Sequence, residues 1–217
     1  ITTGRASGPA ISGTEAMSLP FDPEVRGCHC EVTCSRYQVQ QRGRYRTWKT
    51  VYEEPAPLQV AQKPHAHGGM RVVHRMWNTN YPDVSMVAKR LLGVRHATME
   101  DMLPFCRSSF TAMRFLNNFQ SELNEKCPNL SVEAYFVPCY LYQYEHEDDE
   151  DGDGYFIGEH FFDGKFVKFN SNNGYVNSNS NNSEIMQAFS HFSFVNSHGK
   201  IMVVDLQGIV DKQMILT

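Results

Sequence analysis

A 217-residue chain with 41% hydrophobic and 20% charged residues has an ordinary soluble globular balance and can bury a real core. Its formal net charge of −4 excludes a surface built around a nucleic-acid backbone, which needs surplus Lys and Arg on one face. No apolar run approaches the roughly 20 residues needed to span a bilayer, and residues 1–13 lack the hydrophobic stretch of a signal peptide, so a cytoplasmic protein without a membrane segment is expected.

Residues 1–44 are rich in Gly, Ser, Thr and Pro, with little periodicity, and read as a flexible tail or linker. Cys28, His29, Cys30 and Cys34 resemble half of a metal site, but no second ligand pair follows nearby, so reduced thiols in the tail are expected. From Tyr45 the pattern changes. Tyr45, Thr47, Lys49 and Val51 alternate with Arg46, Trp48 and Thr50, which is strand-like, and Leu58 and Val60 suggest a further strand before Pro64. Residues 70–77 and 84–92 read as two more, separated by the turn-rich Asn78-Thr79-Asn80-Tyr81-Pro82.

A helix follows. Thr98 can cap it, Glu100 and Asp101 suit its first turn, and Pro104 comes early, where Pro is tolerated. Phe105, Ala112, Leu116, Phe119 and Leu123 recur at helical spacing and give one apolar face. Cys106, Cys127 and Cys139 fall in periodic apolar stretches, as small hydrophobes do. Residues 131–144 read as one long strand and 155–162 as another, with an acidic run at 145–153 between them. Asp149, Asp151, Asp153 and Gly154 match the start of an EF-hand loop, but His160 stands where the bidentate Glu belongs and the flanks read as strands, so a solvated loop is expected. A second helix is expected over 183–192, then a short buried strand over 201–205. This order suits an α+β fold of two lobes: a β-rich N-lobe over 45–162 and the start of a C-lobe over 163–217.

Four groups of residues carry chemistry. Gly68-Gly69 lies between two predicted strands, where a bare backbone either makes a plain hairpin or comes close to phosphate. Lys89, inside Val87-Ala88-Lys89-Arg90, is either an edge lysine that snorkels or one that meets an anion. Glu159, followed by Gly164 and the Asn-rich run from Lys168 through Asn172, marks a hinge or a low-complexity loop. Asp205 and Gln207 follow Ile201-Met202-Val203-Val204; two hard oxygens two residues apart at a strand end suit magnesium or stabilise their own turn.

Taken in order, Gly68-Gly69-Met70-Arg71, Val87-Ala88-Lys89-Arg90, Glu159-His160, Lys168-Phe169-Asn170-Ser171-Asn172-Asn173-Gly174, Ala188-Phe189-Ser190-His191-Phe192 and Val204-Asp205-Leu206-Gln207-Gly208 resemble the α-kinase family of atypical serine/threonine protein kinases. The motifs are closest in wording to the branch of elongation-factor-2 kinase and the myosin heavy chain kinases. The resemblance implies a protein-kinase-like two-lobed fold and ATP- and magnesium-dependent phosphorylation of serine or threonine in a protein substrate. It implies a nucleotide site of Gly68, Gly69, Met70, Lys89, Glu159, Lys168 and Asn172, with Glu159 beside the adenine. Lys89 and Asp205 are the implied catalytic residues, Asp205 and Gln207 the magnesium ligands, and His191 one ligand of a structural zinc. In the family a substrate-orienting Asp follows Leu-Thr, one position beyond Leu216-Thr217, so a C-lobe only partly present and an inactive fragment are expected. Glu100, Glu122 and Glu125 are the helix candidates to pair with Lys89. The alternative is a pseudokinase, or a module that binds nucleotide or a partner without phosphoryl transfer.

Overall fold

The computed structural model describes residues 29–42, 47–130, 132–144, 154–179, 182–211 and 213–217; the acidic run and the EF-hand reading built on it lie outside the described residues. Six antiparallel strands close into a barrel in the order β1 (His29–Arg42), β2 (Thr47–His67), β3 (Arg71–Asn78), β4 (Tyr81–Leu91), β7 (Tyr155–His160) and β6 (Cys139–Tyr144). A second sheet has the order β5 (Ala134–Phe136), β10 (Met214–Leu216), β9 (Gln207–Val210) and β8 (Phe166–Lys168). Among the described residues two helices, α1 (Met99–Lys126) and α2 (Ser183–Asn196), complete an α+β arrangement. No helix among the described residues is long and apolar enough to cross a membrane.

Side-chain alternation along the barrel strands separates two environments. Met76, Met86, Ala88, Tyr142 and Phe156 form one buried cluster, in which the Tyr142 and Phe156 rings stack with centroids 5.2 Å apart. The intervening positions Leu141 and Ile157 pack instead with Met102 and Cys106 of α1. Lys89 is the cross-strand partner of Ile157, and Glu159 that of Cys139, which puts both charged residues on the face that α1 covers.

Helix α1 begins as its sequence predicts. The Thr98 hydroxyl accepts from the Asp101 N–H at 3.2 Å and the Asp101 carboxylate accepts from the Thr98 N–H at 2.9 Å, a reciprocal cap. Pro104 sits inside the helix and is exposed, so its ring clears the packed face. The N-terminal half of α1 lies on the barrel. Further along, Ala112, Leu116 and Phe119 enter a second core with Phe136, Phe169, Met186, Phe189, Leu206 and Leu216.

Three expectations are corrected. Residues 29–42 are not tail but a full barrel strand, paired along β2 and, at 34–37, with β6. The strand alternates regularly, with Cys34 toward the barrel interior and Tyr37 and Val39 toward α1, but most of its other positions are polar, so the apolar period is faint in the sequence. The single strand expected over 131–144 is two. Pro138 has no N–H for a ladder, and the chain there leaves β5, which runs parallel to β10, and re-enters the barrel as β6. The N-lobe expected over 45–162 therefore includes a strand of the second sheet. Finally, residues 201–205 form no strand. The N–H groups of Ile201 and Val203 donate to the hydroxyls of Ser197 and Ser193 on the end of α2, both at 2.8 Å, and the ladder starts only at Gln207.

Leu116 is fully buried where α1 enters the second core. Leu116→Ala is expected to cost about 2–5 kcal/mol, read as a lowered urea midpoint. A loss under about 1 kcal/mol would mean that the helix does not support this core as described.

Candidate functional site

The first group of site residues stands on the barrel. Lys89 Nζ donates to Glu159 Oε2 at 2.5 Å, from β4 to the neighbouring strand β7. Their side chains are 14% and 9% exposed. The partner of Lys89 is therefore a strand residue. None of the three helix acids takes that place: Glu100 lies in the exposed first turn of α1, and Glu122 pairs with Lys126. Sequence reading missed this pair because it depends on β4 and β7 being neighbours, which no local pattern states. Beside it, Cys106 of α1 and Cys139 of β6 have sulfurs 3.3 Å apart. The hydrogen bond with Cys106, burial and the nearby Glu159 carboxylate all push the Cys139 thiol well up, so it stays protonated.

The hairpin between β2 and β3 holds Gly68-Gly69-Met70. Gly68 donates its N–H to the Arg71 carbonyl at 2.8 Å, and Met70 is 65% exposed. Neither glycine has a positive φ, and a Cβ on Gly69 would meet nothing within 4 Å. The fold itself does not require a bare backbone at Gly69.

A second group stands on the other sheet. Lys168 at the end of β8 is the cross-strand partner of Gln207 at the start of β9, so their side chains share one face. Lys168 Nζ lies 3.4 Å from Asp205 Oδ1, which also accepts from the Asn172 N–H at 3.3 Å. Three of the predicted residues, Lys168, Asn172 and Asp205, thus converge. Asp205 is not aimed by strand alternation, as its spacing from Gln207 suggested. Its φ of 59° places it in the left-handed region, which Asp tolerates better than most residues, and that bend turns its side chain outward.

Asn170, unremarked beyond its place in a motif, fixes that bend. It is 3% exposed. Its amide donates to Ser190 Oγ at 2.9 Å and Gln187 Oε1 at 3.2 Å on α2, and its carbonyl accepts from the Leu206 N–H at 3.0 Å. The Phe169 N–H donates to the Leu206 carbonyl at 2.8 Å, so Leu206 is gripped on both sides and the preceding residue has one way to point. The available signal was a polar residue directly after the buried Phe169 in an otherwise exposed Asn-rich run. On the far side of β9, Gly208 lies so close to β10 that an added Cβ would run into the backbone carbonyl of Ile215.

His191 is exposed on α2, and among the described residues no three His, Cys, Asp or Glu side chains converge on a possible metal position. The zinc expectation finds no support there. For magnesium, Asp205 offers a half-exposed carboxylate and Gln207 an exposed amide, the hard-oxygen chemistry that ion prefers.

Residues 66–217 match the family model described as the alpha-kinase family. The chain belongs to the α-kinase family. It is 30% identical over 157 residues to myosin heavy chain kinase C of Dictyostelium discoideum, which covers 71% of this chain and 18% of that kinase. It is 52% identical over 54 residues to eukaryotic elongation factor 2 kinase of Caenorhabditis elegans, 24% of this chain and 7% of that one. The α-kinase domain of myosin heavy chain kinase A, solved in complex with AMP, superposes with a TM-score of 0.66 at 19% identity, covering 86% of this chain and 83% of that domain. The α-kinase fold of this chain is thus the barrel, the second sheet and the long helix that joins them.

Two outcomes test this geometry. Asn170→Asp keeps the shape but loses the amide donors and leaves Ser190 and Gln187 facing a carboxylate. It is expected to lower stability by about 1–3 kcal/mol in thermal or urea unfolding, and an unchanged midpoint would contradict the network. At neutral pH, iodoacetamide should label the exposed Cys127 while Cys106 and Cys139 stay unmodified until denaturant is added. Peptide mass spectrometry reads this, and rapid native labelling of Cys139 would refute its protonated, enclosed state.

Proposed function

We propose that this domain binds ATP and, with magnesium, transfers its terminal phosphoryl group to serine or threonine of a protein substrate. The observation that carries this reading is the Lys89–Glu159 ion pair. Taking two charges largely out of water gains little stability, since desolvation offsets most of their attraction. What the pair does provide is a lysine held at a fixed place on the barrel of an α-kinase fold. The AMP complex of the related myosin heavy chain kinase A domain supports a nucleotide site in this fold.

Phosphoryl transfer asks mainly for positioning and charge neutralisation. In this reading the Lys89 ammonium donates to phosphate oxygens while Glu159 keeps it in place. Glu159 is also the last buried residue of β7 before the chain leaves the barrel, which suits the expected position beside the base. The hairpin at Gly68, Gly69 and Met70 offers backbone N–H groups, and the open space over Gly69 leaves room for a phosphate to approach. From the second sheet, Lys168 adds positive charge and the loop at Asn172 closes on Asp205. Asp205 and Gln207 would hold magnesium, which offsets charge on the phosphoryl group in transfer.

In a protein that also carries the substrate-orienting Asp expected beyond Leu216-Thr217, Lys89→Met and Asp205→Asn should each lower phosphate transfer to a basic protein by roughly 100-fold or more. Because Lys89→Met alone leaves a buried carboxylate unpaired, Lys89→Met with Glu159→Gln serves as the folded comparison. Near-normal turnover in either folded variant would overturn the assignment. Phosphoamino-acid analysis of the labelled product decides the serine or threonine preference.

A further inference from the structure

The chain passes from barrel to second sheet between the end of β7 at His160 and the start of β8 at Phe166. Two adjacent aromatic residues in this passage dock differently. Phe161 stays with the barrel: its N–H donates to the Ser85 carbonyl at 2.9 Å, and its ring meets His65 of β2 edge-on at 5.4 Å. Phe162 reaches the second sheet, its ring 6.4 Å from Tyr135 of β5 and equally far from the stacked ring of His160 at the end of β7. Two residues on, Gly164 at φ 143° sits against Ile209 of β9, and an added Cβ would come within 2.8 Å of that side chain.

Arg75 of β3 covers Phe161. Its guanidinium carbon is 3.6 Å from the ring centroid, and its Nη2 donates to Ser85 Oγ at 2.6 Å. One side chain therefore grips both Phe161 and the residue whose carbonyl receives the Phe161 N–H. Trp77 flanks the same cation at 5.8 Å. Arg75 Nε is buried without a hydrogen-bond partner, a cost that an apolar side chain of similar length would avoid. What the guanidinium adds over such a side chain is direction. A flat cation fixes the plane of the ring it stacks on, and its fork bonds Ser85 at the same time.

We propose that Arg75 is a positioning residue: by clamping Phe161 it sets the passage between the two lobes, and so the placement of Lys89 and Glu159 relative to Lys168 and Asp205. Glu159, the penultimate residue of β7, lies two residues before Phe161, and β8, which ends in Lys168, begins five residues after it. A change of direction at Phe161 is therefore felt by both groups. The consequence for ligand binding rests on the nucleotide reading above; the clamp itself does not.

The test compares Arg75→Met, Arg75→Lys, Phe161→Leu and the double variant Arg75→Met/Phe161→Leu by hydrogen exchange and by MgATP binding. Arg75→Met keeps the apolar stem and Arg75→Lys the charge, so each guards against simple unfolding in the other. In Arg75→Met, exchange at 161–166 should rise roughly tenfold, the order that one stacked cation and one hydrogen bond supply. Amides in the centre of β3 and β4 should exchange as in the parent. MgATP affinity should fall about fivefold or more, with Arg75→Lys intermediate and the double variant no worse than the worse single. Unchanged exchange at 161–166 in folded Arg75→Met overturns the clamp, whether or not nucleotide binds. Faster exchange with unchanged affinity, or additive losses, overturns the positioning role. A parent protein that does not bind MgATP overturns the nucleotide reading and this consequence with it, whereas normal parent binding with unaffected variants removes only the role of Arg75.

Discussion

Helix α1 has to satisfy two cores with one apolar face. At 1.5 Å per residue its 28 residues run about 42 Å, enough to lie along the barrel and continue into the second layer. Met102 and Cys106 belong to the first contact, and Ala112, Leu116 and Phe119 to the second. Each core buries its own strands, but neither is closed without the helix. The Thr98–Asp101 cap therefore matters beyond its own turn, because the phase of the helix at its start decides which side chains reach the core some four turns later. The Lys89–Glu159 pair lies on the face of the barrel that this helix covers. Its burial, and with it the fixed position of the lysine, follows from the helix packing.

The second layer depends on a polar device. Most of its core is Phe, Leu and Met, yet Asn170 is as buried as they are and has both ends of its amide occupied. A buried amide with every partner in place specifies geometry in a way that an apolar residue of the same volume does not. Here it ties the start of the Asn-rich loop to α2 and to Leu206. The left-handed turn at Asp205 is held from behind, leaving its carboxylate half exposed beside Lys168. That pair is too open to water to add much stability; its significance is where it puts the carboxylate.

Much of this could be read from the sequence because it is local. The Thr98 cap, the apolar stripe of α1, the strand at 71–78 and the hairpin at Gly68-Gly69 each show within a few residues. The ordered motifs around Lys89, Glu159, Lys168 and Asp205 were legible as a family likeness, and the family match over 66–217 bears that likeness out. What was not legible is non-local or depends on an interruption. The partner of Lys89 required knowing that β7 lies beside β4. The first strand was hidden by its mostly polar composition, and the split at Pro138 by apolar residues continuing on both sides of it. The segment 201–205 looks like a strand by composition, but its donors are taken by serines of α2, and composition cannot show where a backbone hydrogen bond goes.

Gly208 gives β9 a means of rejecting wrong alignments. Gly208 stands opposite Leu216, and only a residue without a side chain passes the Ile215 carbonyl there. Sliding β9 by one position in either direction would bring Gln207 or Ile209 to that point, and both would collide. The alignment that survives is the one that sets Gln207 across from Lys168 on the opposite edge of the same strand. A steric constraint at one edge of a four-residue strand thus sets the alignment of the polar groups at its other edge, although the glycine touches none of them.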